Sequence, residues 1–95
     1  MTRRERGRTI CRRVAAKVQE VTPPGLGEWE PAWSYVAEPS DRFLDLLDVW
    51  LYEDTPRTRE DLQEAADALV RAWREAGRRY EADQSARETQ EGVPA

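Results

Sequence analysis

The chain has 95 residues with four Trp, six Pro, a single Cys and no His, and its formal net charge is −4. That length suits one domain with a modest core. With no His or Asn and only Cys11 as a thiol, the composition excludes a Ser–His or Cys–His nucleophile pair, an intramolecular disulfide and a Cys-rich metal site.

Leu, Ile, Val and Phe make up about 17% of the residues, below the ~20% level that accompanies disorder when net charge is high. The small net charge and the added area of four Trp and three Tyr point instead to a folded middle with soft ends. The most apolar run, Phe43 to Tyr52, is interrupted by Asp45 and Asp48, so no membrane span is expected. The Arg-rich start does not resemble a secretion signal, because Lys17 and Glu20 interrupt the apolar residues after it. These features give the expectation of a soluble, cytoplasmic protein.

Charge is unevenly placed. Residues 1–20 balance to +5, residues 21–56 to −7, and the remainder to −2. Residues 1–9, rich in Arg, read as a flexible basic arm. From Ile10, the apolar residues Val14, Val18 and Val21 fall on one helical face, with Thr9 as a candidate N-cap. Pro23-Pro24-Gly25 ends that helix.

Residues 29–38 read as a short aromatic helix, because Trp29, Trp33 and Val36 share a helical face before Pro39. Ser40 is then expected to cap a new helix, with Asp41 complementing its dipole. Phe43, Leu44, Leu46, Leu47, Trp50 and Leu51 give this helix a wide apolar face as far as Glu53, and Thr55-Pro56 stops it. Thr58 and Asp61 form the pattern of a capping box for the last helix. Its seam of Leu62, Ala66, Leu69, Trp73, Ala76 and Tyr80 has a period of about 3.5 residues, the spacing of a helix packed lengthwise on another. Glu60, Glu64, Asp67, Arg71, Arg74 and Arg78 repeat that spacing on the opposite side. Beyond Tyr80 the periodicity is lost, and residues 81–95 read as a disordered tail.

No strand pattern occurs. The expected fold is all-α: a small three-helix bundle over residues 10–80, with an additional short aromatic helix and disordered ends.

No catalytic residue, metal site or cofactor is assigned. Asp41, Asp45 and Asp48, like Glu60, Glu64 and Asp67, have the spacing of a carboxylate stripe, but they lie largely off the apolar faces and read as solvated. Cys11 reads as a small residue at the edge of a helix core. Two groups of residues remain. Trp29, Trp33 and Tyr35 are candidate partner-binding residues, since Trp and Tyr are enriched at interface hot spots; the competing role for the two Trp is to cover one end of the core. Arg3, Arg4, Arg6, Arg8, Arg12 and Arg13 could neutralise phosphates, although the acidic body of the chain opposes a duplex. The favoured expectation is a non-enzymatic protein-binding module, a small helical adaptor, regulator or inhibitor that meets a protein partner through the aromatic segment and opposed charge patches. The alternative is a nucleic-acid-associated accessory protein using the Arg-rich start. The regular seam of the last helix also permits a homodimer.

Overall fold

Three long helices account for most of the residues described by the computed structural model, which are residues 2–91. They are α1 (Arg3–Val21), α2 (Ala32–Tyr52) and α3 (Pro56–Glu91), with a single 3-10 turn at Leu26–Glu28. The described residues contain no strand, so the fold is all-α.

α1 begins at Arg3, inside the segment expected to be a flexible arm. Thr2 and Glu5 close a capping box: the Thr2 hydroxyl accepts from the Glu5 N–H at 3.2 Å, and the Glu5 carboxylate accepts from the Thr2 N–H at 3.4 Å. Thr9, expected to be the cap, lies mid-helix and its hydroxyl donates to the Glu5 carbonyl at 2.9 Å. Gly7 is buried because Leu51 of α2 comes so close that a Cβ at this position would sit 3.1 Å from its Cδ1. Val14 is the buried centre of the apolar face, flanked by partly buried Ile10 and Val18.

The link between α1 and α2 turns on Gly25, whose φ of 87° lies in the left-handed region that side chains disfavour. Leu26 then plugs the end of the core. The aromatic segment and the run after it are not two helices. α2 passes through Pro39 without a break, and of the three aromatic residues in the segment only Trp29 stands outside it. Pro39 lacks an N–H, so the Tyr35 carbonyl loses its usual partner four residues on. Val36 and Phe43, buried on either side of Pro39, hold the helix on its course.

Thr55, not Thr58, caps α3. The Thr55 hydroxyl accepts from the Thr58 N–H at 3.1 Å, and the Thr58 hydroxyl accepts from the Thr55 N–H at 2.8 Å, with Pro56 at the first helical position. α3 continues to Glu91, past the point where the periodicity ends at Tyr80. Among the described residues, none after Tyr80 belongs to either apolar cluster. Residues 92–95 of the expected tail, and Met1 of the expected arm, lie outside the described residues.

α3 is the spine. α2 runs back along it and α1 runs parallel to it; α1 leans mainly on α3 and meets α2 far less. The larger cluster joins Val14, Phe43, Leu47, Trp50, Leu62, Ala65 and Leu69 from all three helices. The smaller one gathers Leu26, Ala32, Val36 and Ala76 at the end where α1 gives way to the turn. No described polar or charged residue is buried. The radius of gyration is 17.0 Å, well above the about 12 Å of a compact chain of this length. The molecule is a rod of 62 × 20 × 17 Å.

Candidate functional site

Two features organise the surface: a polar knot at one end and an apolar groove along one side. The knot centres on Asp54, in the link between α2 and α3. Its carboxylate accepts from Arg59 Nε at 2.6 Å and Nη2 at 3.1 Å, from Arg6 Nη2 at 2.7 Å, and from the Trp50 indole N–H at 3.0 Å. Arg6 also lies over the Trp50 ring, 4.6 Å from its centroid. One carboxylate thus ties all three helices together.

The Arg59 hydrogen bonds, followed by those of Arg6 and Trp50, hold the Asp54 carboxyl at about 2, down from its ordinary 3.8. A depressed carboxyl contributes stability that is complete above its unfolded-state value and is lost as pH falls through the folded one. The difference in Tm between the native chain and Asp54→Asn is therefore expected to be constant above pH 3.8 and to shrink towards pH 2. Thermal melts of both proteins from pH 7 to pH 2 check this; a gap that stays constant to pH 2 would show that the carboxylate charge is not what matters.

Arg6, grouped with the basic arm on sequence grounds, is therefore engaged within the fold. Arg3, Arg4, Arg8, Arg12 and Arg13 are exposed, and among the described residues none of the five makes an ion pair.

The structure separates the three aromatic candidates. Trp29 stacks on Tyr35 with centroids 6.4 Å apart and meets Tyr80 edge-on at 5.7 Å. Both rings are half-buried against the smaller cluster, so this pair covers one end of the core. Trp33 points elsewhere, because two positions along a helix are about 200° around it. It is 55% exposed and meets Trp73 edge-on at 6.0 Å.

Trp73 leads into the groove. Because α1 and α2 both rest on α3 but scarcely touch, a channel of about 420 Å³ runs between them. Phe43, Leu69 and Trp73 form its floor, and Ala15 and Leu44 stand on opposite banks. Leu44 is 52% exposed although the sequence placed it with the core. Neighbours on a helix diverge by about 100°, so Phe43 and Leu44 cannot both face α3. Cys11 lies exposed on the α1 bank. A second channel, of about 500 Å³ between α1 and α3, is bordered by Arg13, Lys17, Arg59 and Asp67 and has no exposed aromatic residue.

The chain matches no family model, no curated protein and no solved structure.

Other surfaces carry less. Among the described residues, no three His, Cys, Asp or Glu side chains gather as a metal site. No described helix is long and apolar enough to cross a membrane. The α3 seam suited by its spacing to pairing with a second copy is taken up within the chain: Leu62, Leu69 and Ala76 are buried against the other elements. The opposite stripe, from Glu60 to Arg78, is exposed throughout.

Proposed function

We propose that the three helices act as a small bundle whose role is non-enzymatic protein binding, in the manner of an adaptor, regulator or inhibitor, and that the α1–α2 groove receives an apolar face of the partner. The observation that supports this reading is the pair of exposed apolar side chains beside the groove, Trp33 at 55% and Leu44 at 52%. Large apolar groups next to a concave apolar floor gain most from being covered, about 1.5–3 kcal/mol for each side chain fully buried. Trp29 and Tyr35 close one end of the core and do not meet the partner.

The test is the double substitution Trp33→Ala and Leu44→Ala. Both side chains are largely exposed, so the helical circular dichroism should be unchanged. Affinity for a stoichiometric protein partner, captured from native cells after nuclease treatment and a high-salt wash, should fall at least about 30-fold, the loss of one hot-spot residue. Equal retention by the double variant and the native chain would remove the groove from consideration.

The nucleic-acid alternative has one observation in its favour, the five exposed arginines of α1 without ion-pair partners among the described residues. It is the weaker reading because only Arg4, Arg8 and Arg12 share a helical face, Arg3 and Arg13 turn away from it, and the chain as a whole carries a net charge of −4.

A further inference from the structure

The banks of the α1–α2 groove carry opposite charge. Arg8 and Arg12 lie on the outer α1 bank, Asp41 and Asp48 on the outer α2 bank, and all four are exposed. Among the described residues none of these four forms an ion pair. Their heights along the rod are related. Gly7 lies against Leu51, and Val14 and Val18 share the groove with Leu44 and Ser40. Descending α2 while ascending α1 therefore sets Arg8 level with Trp50 and Arg12 level with Leu46, with Asp48 between them in height.

We infer that the groove is filled by a second copy of this chain, docked face to face about a two-fold axis parallel to the helices. Rotation about that axis exchanges left and right but preserves height. It lays α1 of one copy over α2 of the other, so Arg8 and Arg12 meet the partner copy's acidic bank at the level of Asp48, and the reverse contact forms at the same time. A two-fold axis across the helices would instead lay α1 on α1 and leave the acids facing acids. The charge pattern is thus self-complementary in one orientation, and the interface is isologous. Leu44 of each copy, level with Val14, is covered in the process.

The size of the face agrees with a reversible dimer. A surface about 20 Å wide along the 19 residues of α1 gives roughly 600 Å² per copy, at the small end of specific interfaces.

This inference rests on the groove being a binding surface, and charge exchange tests it separately. Sedimentation equilibrium at tens of micromolar should give twice the 11.0 kDa chain mass for the native protein. Arg8→Glu with Arg12→Glu, and separately Asp41→Arg with Asp48→Arg, should each yield monomers, with dimer affinity reduced about 100-fold or more by like charges brought together. An equimolar mixture of the two variants should again sediment as a dimer, since one contact is then the native Arg–Asp pairing and the other is the same pairing with its signs reversed. A monomeric native chain, reversed variants that remain dimeric, or a mixture that stays monomeric would each overturn self-pairing. If the native chain is monomeric and its protein capture still depends on Trp33 and Leu44, self-pairing falls and the groove reading stands. If neither dimer nor capture responds to Trp33→Ala with Leu44→Ala, both fall.

Discussion

Phe43→Ala is expected to reduce the unfolding free energy by about 3–5 kcal/mol, the range for truncating a buried aromatic. Phe43 is 4% exposed and lies where Val14 of α1 and Leu69 of α3 converge on α2. The cavity left would border all three helices, and none of them can close it alone. For a chain of this size the total stability is about 5–14 kcal/mol, so this one change removes a large fraction. At about 4–8 °C per kcal/mol, the melting temperature should drop by more than about 12 °C. Urea unfolding followed by circular dichroism measures it, with the slope against urea unchanged. Leu44→Ala is the control, one position along and half in water, and should stay within about 0.5 kcal/mol. Equal effects at the two positions would contradict an α2 that turns Phe43 inward and Leu44 outward.

Pro39→Ala is expected to act in the other direction. A proline inside a helix is about 3 kcal/mol worse than alanine, because the donor is missing and the ring crowds the preceding turn. Alanine restores an N–H for the Tyr35 carbonyl. Proline also lowers the entropy of the unfolded chain, worth about 0.4–1 kcal/mol, and the substitution removes a half-buried ring that borders a cavity with Ala65 and Ala68. The balance is a gain of about 1–2 kcal/mol, read as a higher urea midpoint. A lower midpoint would mean that ring contacts outweigh the missing hydrogen bond.

The same proline shows where local sequence rules stop. Pro39 next to Ser40 has the form of a stop followed by a cap, and read alone it divides two helices. Burial of Val36 and Phe43 on the same side of α2 overrides that local preference, and the cost is one unpaired carbonyl. The start of α1 is legible in principle, since Thr2 and Glu5 have the capping-box spacing and Arg is a good helix former. What hides it is charge: the first two turns have no apolar stripe, and they are held by Leu51 against Gly7 and by Arg6 in the Asp54 knot. Both contacts bridge residues more than forty positions apart, beyond the reach of any periodicity.

The extension of α3 is the converse case. Ala82, Ala86 and the Asp83–Arg87 pair at 3.2 Å favour a helix with no apolar face to reveal it. The seam of α3 is read directly, because Leu62, Leu69 and Ala76 keep one spacing and all three are buried. The aromatic trio is only half legible. Spacing sets Trp29 and Trp33 on a shared face, but Trp29 precedes α2 and turns back on Tyr35 and Tyr80, leaving Trp33 alone at the groove.

The rod shape carries over into rotational diffusion. All three helices run along the 62 Å axis, so their backbone N–H bonds point nearly along it as well. A bond in that direction is blind to spinning about the long axis and senses only the slow end-over-end turn. For a single chain, amide transverse relaxation in α1, α2 and α3 will therefore be faster than a sphere of 11.0 kDa allows, and nearly uniform along each helix. Indole N–H bonds set across the axis will relax more slowly, so one set of nuclear relaxation rates reads the orientation of each tryptophan against the rod.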